Sequence, residues 1–311
     1  MVDPKARISF YDQIARNKRK SYVLMAFILL ILVALIYIIG LVLSPEYSIV
    51  ILVFALILAP LYIIFSYYNS HKIALASVNA KPANQTDHRM FHHSVEGLCL
   101  ASGMPKPKLY VMENSNINAF ASGRDPKNSI ICVTTGALEK LDKQELEGVI
   151  GHELAHIANY DIRYMTLATV LVGMIAIISR IFLRSLWWSS LSGGGRRNSR
   201  DNGGQAQVVL MIIGIVFAIL APVFAILVQL SISRKREYAA DASAVKFIRS
   251  PTGLIGAFKK IKSESINIKD SKKVASAVAP LFISDPFKKN LDSAFSTHPP
   301  LSKRIALLDR M

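Results

Sequence analysis

Apolar and polar positions are not evenly interleaved along this chain. They gather into four long apolar runs separated by mixed, charged segments. From Ser21 to Leu43 no residue is charged, and the run exceeds the roughly 20 positions a helix needs to span a bilayer core. It is too long for the apolar core of a cleavable signal peptide, so a retained segment is expected. Pro45 and Glu46 interrupt it, and a second uncharged run extends from Tyr47 to Tyr68. Residues 21–68 therefore predict a transmembrane hairpin. The preceding residues 1–20 end in Arg16-Asn17-Lys18-Arg19-Lys20, a basic N-terminal arm. The spacing of Ile8, Phe10, Tyr11 and Ile14 within it also suits a segment lying on a membrane surface.

Residues 69–163 turn polar. Pro82, Pro105 and Pro107 mark loops around a helix expected near Asp87 to Ser102. Lys108–Met112 and Ile130–Thr134 read as strands, with Asn118-Ala119-Phe120-Ala121 between them and a turn from Gly123 to Asn128. Asp142 followed by Glu145 reads as a capping box. The helix it opens has no obvious stop before a third apolar run, Tyr164 to Leu183. Residues 184–207, rich in Gly, Ser and Arg, predict a flexible loop. A fourth run, Val208 to Ile232, contains Pro222 and ends at Ser233-Arg234-Lys235-Arg236. Residues 164–232 are thus expected to form a second membrane hairpin. The segments 69–163 and 233–311 would be the two parts of one water-exposed domain.

Composition supports this outline. Hydrophobic residues make up 52% of the 311 positions, high for a soluble globule. A net charge of +16 could signal nucleic acid, but the basic residues sit at the ends of apolar runs, as in membrane proteins, and no nucleic-acid-binding motif accompanies them. The turn joining the first two runs has no Lys or Arg, which places both ends of that hairpin on the cytoplasmic side. Arg184, Arg196, Arg197 and Arg200 fall in the second hairpin's loop, against the same bias if that hairpin crosses fully. Cys99 and Cys132 form no Cys-x-x-Cys pattern and read as buried, reduced thiols.

The chemistry enters at Gly151-His152-Glu153-Leu154-Ala155-His156. On a helix, His152 and His156 share a face and can hold one Zn²⁺, with Glu153 as general base toward water. The three fixed residues arise by chance in roughly one 300-residue chain per hundred, so context must decide. His88 and His92 are also four apart, but no intervening carboxylate or third ligand accompanies them. Glu237 and Asp241 share a face of a later helix, the first placed to be a third ligand and the second to accept the outer N–H of a ligand histidine. At 1.5 Å per residue His156 and Glu237 lie roughly 12 and 8 Å from the same membrane face, so a hairpin of the third and fourth runs brings them together.

The chain resembles the HtpX-type membrane zinc peptidases, kin of the CAAX prenyl endopeptidases and, more distantly, of thermolysin-like enzymes. The likeness spans Phe10-Tyr11-Asp12-Gln13-Ile14-Ala15, Asn118-Ala119-Phe120-Ala121, Val133-Thr134-Thr135-Gly136, the His-Glu-x-x-His helix, Ser233 to Asp241, and Ser296-Thr297-His298-Pro299-Pro300. It implies a multi-pass α-helical membrane protein with a mainly helical, zincin-like α+β metallopeptidase domain. The activity implied is an ATP-independent zinc endopeptidase of the plasma (inner) membrane, cutting misfolded or damaged membrane proteins at the cytoplasmic face. Its partners would be unfolded polypeptides, the lipid bilayer and other membrane quality-control proteases, with no nucleic acid. By the same resemblance His152, His156 and Glu237 are zinc ligands, Glu153 the base and Asp241 the outer carboxylate. Asn118 and Ala119 then bind substrate main chain, and His298 and Arg304 lie near the reacting carbonyl, His298 to stabilise the oxyanion with Arg304 in support. The other classes to be distinguished are a prenyl-protein endopeptidase, against which the four apolar runs argue, and a non-enzymatic membrane scaffold.

Overall fold

The computed structural model describes residues 10–43, 45–191, 208, 211–212, 215–216, 219, 234–264, 278, 281–284 and 299–311. Helix α1 (Phe10–Leu43) and helix α2 (Ser48–Ser77) are joined by a single 3-10 turn, Pro45–Tyr47. Strand β1 (Lys81–Pro82), helix α3 (Arg89–Ser102), strands β2 (Lys108–Met112), β3 (Ala119–Asp125) and β4 (Asn128–Thr134), and helices α4 (Thr135–Lys140), α5 (Lys143–Ala158) and α6 (Asp161–Leu191) follow. Beyond residue 191 come α7 (Arg234–Ile248), α8 (Thr252–Ser263) and α9 (Leu301–Leu308).

Among the described residues three stretches are long and apolar enough to cross a membrane: Ile14–Leu41, Ser48–Ser77 and Asp161–Arg184. Ile49, Val53, Phe54, Leu58, Leu61 and Phe65 of α2 are all exposed, an apolar surface of the kind a membrane helix presents to lipid. Its other face buries Ala59 and Ile63 against Leu24, Ile28 and Leu32 of α1 and Leu167, Ala168 and Ile175 of α6.

The sheet runs β1-β2-β4-β3, with β2 and β4 parallel and the other pairs antiparallel. β3 is therefore an edge strand. Its turn to β4 is closed by the Asp125 carboxylate, which accepts from the Asn128 backbone N–H at 2.9 Å. Gly123 is required there: its φ is 144°, and a Cβ would stand 2.3 Å from the Asn128 carbonyl.

α5 begins with a complete capping box: the Asp142 side chain accepts from Glu145 N, and the Glu145 side chain accepts from Asp142 N. Its far half is buried on all sides, packed against α7 and α8. Gly148 and Gly253 permit the close approach of α5 and α8: a Cβ at Gly148 would stand 2.5 Å from the Leu254 backbone nitrogen, and one at Gly253 2.1 Å from the Gln144 carbonyl.

Four expectations change. The basic arm 1–20 is, from Phe10 onward, part of α1, because no residue between Phe10 and Ser21 breaks a helix. α2 continues past Tyr68 to Ser77. α6 runs to Leu191, so 184–191 is helix rather than loop, Leu186, Trp187 and Trp188 continuing its apolar character. The helix carrying the two histidines does stop: Asn159 caps it and Tyr160 takes φ 58°, so α5 and α6 are separate helices. Most of the fourth apolar run, with Pro222, lies outside the described residues.

Candidate metal centre

α5 and α7 lie side by side, close enough that a Cβ at Gly151 would stand 2.9 Å from the Ile248 side chain. From this pairing His152, His156 and Glu237 turn toward one point, their donor atoms all within 4.8 Å of one another. The two Nε2 atoms are 3.1 Å apart, and the Glu237 oxygens lie 3.6 Å from His152 Nε2 and 3.5 Å from His156 Nε2. A tetrahedral Zn²⁺ with ligands about 2.0–2.1 Å away would space them by roughly 3.3 Å, so these residues fit such an ion. All three are buried.

Each imidazole has its outer nitrogen on a carboxylate. His152 Nδ1 is 2.9 Å from Asp241 Oδ1, and a proton donated there leaves the Nε2 lone pair toward the centre. Arg304, fully buried on α9, donates from Nε to Asp241 Oδ2 at 2.9 Å and from Nη2 to Oδ1 at 2.6 Å. Its Nη1 is 3.4 Å from Glu237 Oε2, and its plane lies over the Phe258 ring at 4.2 Å. Burial would raise the Asp241 carboxyl, but Arg304 and His152 hold it below the ordinary carboxylate range. For His152, burial and Arg304 push the imidazole down, while Asp241 and Glu237 push it up further, to about 9 before any metal binds. Arg304 was expected beside the reacting carbonyl; here its fork is committed to the carboxylate that orients His152.

His156 Nδ1 lies 3.2 Å from Asp161 Oδ2, on the first residue of α6. The other Asp161 oxygen accepts from Asn17 Nδ2 of α1 at 2.8 Å, and the same amide donates to the Asn159 carbonyl at 2.9 Å. Neither Asp161 nor Asn17 was singled out from sequence. The only local signal was the polar Asn159-Tyr160-Asp161 interruption after the motif.

Glu153 is buried beside β3, where the Ala121 backbone N–H donates to its carboxylate. Burial holds this carboxyl above its ordinary range, although His152, His156 and that N–H act in the opposite sense. Ala119 opens β3, and Asn118 precedes it. The outer edge there meets the chain itself: Ile283 N donates to Ala119 O at 3.0 Å. The Asn118 amide donates to Ser284 O at 2.9 Å and accepts from Ser284 N at 3.3 Å. Phe282 packs edge-on against Phe120, their rings 5.0 Å apart. His298 lies outside the described residues. The His88 and His92 pair stays apart from the centre, His92 Nε2 lying 3.1 Å from the Ala83 carbonyl.

Membrane-length helices joined to a buried His, His, Glu site with a glutamate beside it define a membrane metallopeptidase. Residues 85–311 match the family model of peptidase family M48. The "Protease HtpX homolog" of Thermoanaerobacter pseudethanolicus is 41% identical over 303 residues, covering 97% of this chain and 98% of the relative. That of Listeria monocytogenes serotype 4a is 39% identical over 309 residues, covering 97% and 99%. The chain belongs to peptidase family M48. It is also similar to the crystal structure of S. mikatae Ste24p, with a TM-score of 0.47 and 18% identity over 96% of this chain and 66% of that one.

Proposed function

We propose that the chain is a zinc endopeptidase that cuts misfolded or damaged membrane proteins at the cytoplasmic face of the plasma membrane. The observation that carries this reading is the meeting of His152, His156 and Glu237 with the Glu153 carboxylate beside the edge strand β3. His152, His156 and Glu237 would hold Zn²⁺, which would supply Lewis acidity toward a peptide carbonyl. Glu153, its carboxyl raised by burial, takes a proton from the attacking water and returns it to the leaving amine. Asn118 and Ala119 align an extended main chain along β3. The pairing of Asn118 with both main-chain polar groups of Ser284 supports this, because it engages backbone and no particular side chain. His298 is assigned to the oxyanion.

The charge distribution supports this sidedness. Asn17 meets Asp161 at the end of α1 that carries Arg16, Lys18, Arg19 and Lys20, so the metal centre sits at the basic end of the bundle. Lys and Arg are retained on the cytoplasmic side, and substrates emerging from the bilayer there would reach the site first.

The test is cleavage of an unfolded membrane protein by the purified, zinc-loaded full chain in detergent. A chelator should abolish cutting, and Glu153→Gln should lower it by about 10²–10⁴-fold with zinc content unchanged. Wild-type cutting by Glu153→Gln would overturn the mechanism. Cutting confined to prenylated C-terminal peptides would overturn the substrate class.

A further inference from the structure

α1 is a membrane helix, yet one of its side chains reaches the metal centre. Asn17 is buried, and both hydrogens of its amide are used, one on the Asn159 carbonyl at the end of α5 and one on Asp161 Oδ1. The other Asp161 oxygen faces His156 Nδ1 at 3.2 Å. Three groups thus run in line from the first membrane helix to a candidate ligand: amide, carboxylate, imidazole.

The neighbourhood holds this line in place. Ser21 Oγ, one turn along α1, donates to the Asn17 carbonyl at 3.0 Å. Lys18 lies over the Tyr160 ring at 4.4 Å, gripping the residue whose φ of 58° makes the break between α5 and α6. Without that break Asp161 would continue α5 and turn away from His156, because residues five apart on one helix do not share a face. Among the described residues Arg236 Nη1 is the nearest cation, 3.8 Å from Asp161 Oδ1, too long for a hydrogen bond. Direction is therefore imposed on the Asp161 carboxylate by the Asn17 amide.

We infer that Asn17 is a positioning residue for the metal centre: by fixing the Asp161 carboxylate it sets the tautomer and ring orientation of His156, tying metal affinity to the seating of α1. This rests on the zinc reading above. A carboxylate on the outer nitrogen makes an imidazole a better ligand, and loss of such a partner commonly costs about 10–100-fold in metal affinity. An amide one step further out acts only through that carboxylate, so its effect must vanish when the carboxylate is gone.

The experiment measures Zn²⁺ affinity of the metal-free full chain in detergent by chelator competition, for wild type, Asn17→Ala, Asp161→Asn and the double variant. Asp161→Asn should weaken zinc by about 10–100-fold and Asn17→Ala by about tenfold. In the Asp161→Asn background, Asn17→Ala should add less than about twofold, whereas a purely structural role gives the same loss in both backgrounds. Asn17→Leu, which keeps the volume, should match Asn17→Ala and serves if the latter does not accumulate. Equal zinc affinity of wild type and both Asn17 variants, or equal losses in the two backgrounds, would overturn the inference and leave the proposed function standing. A wild-type chain that binds no zinc would overturn both.

Discussion

The two imidazoles of the metal centre sit one helical turn apart, yet they are oriented by different parts of the molecule and by different chemistry. Behind His152 stand Asp241 of α7 and Arg304 of α9, a fully buried ionic pair in fork geometry. Behind His156 stand Asp161 at the start of one membrane helix and Asn17 inside another, a carboxylate held by a neutral amide. Burying a guanidinium and carboxylates together costs several kcal/mol per ion, offset only while every partner is present. A neutral amide costs far less to bury. The difference teaches that the His152 side of the site is organised by a buried ionic pair whose charges fail together, while on the His156 side the buried Asp161 carboxylate is directed by one neutral amide through its two hydrogen bonds.

Perturbations of decreasing size separate the two sides. Glu237→Ala removes the carboxylate that faces both imidazoles and should leave no stoichiometric metal after dialysis; retention of one equivalent by mass spectrometry would break the scheme at its centre. Arg304→Ala leaves Asp241 buried without its cation and should destabilise the metal-free protein by about 3–5 kcal/mol, read as a large fall in thermal midpoint. Asn17→Ala removes a hydrogen bond to a buried carboxylate and should cost about 1.5–3 kcal/mol by the same measurement. Equal losses would erase the contrast between the sides. A change of pH tests the His152 side alone. Metal-free His152 is raised to about 9, so at pH 7 it holds a proton that zinc must displace. Zinc affinity should therefore rise by up to about tenfold per pH unit between pH 7 and 9, and proton release should appear in calorimetric titrations compared across buffers. By the same sign, the contribution of protonated His152 to the metal-free fold is complete below about pH 6.5 and is lost as pH rises through about 9.

Much of this was legible in the chain. The His-Glu-x-x-His turn, the Asp142–Glu145 cap, strands β2 and β4 and the first two apolar runs are local signals, each complete within one element. The break after α5 was not, because its left-handed residue is Tyr160 rather than a glycine, and the apolar periodicity resumes immediately beyond it. Arg304 was singled out near a reacting carbonyl, yet its guanidinium is committed to Asp241 by contacts that no spacing along the chain reveals.

What the sequence determined by itself is therefore the inventory: two imidazoles and a carboxylate on one helical turn, a Glu237–Asp241 pair on another, and apolar runs that anchor both near a membrane. A helix repeats every 3.6 residues, so such facing relations follow from spacing alone. Which partners stand behind the ligands only tertiary structure decided. Asn17 and Asp161 are 144 residues apart, Asp241 and Arg304 63 apart, and each pair meets because separate helices pack at one end of the bundle. The pattern that makes those helices pack is apolar and shared by many positions; the one amide and the one guanidinium that matter are chosen by where the packing leaves them.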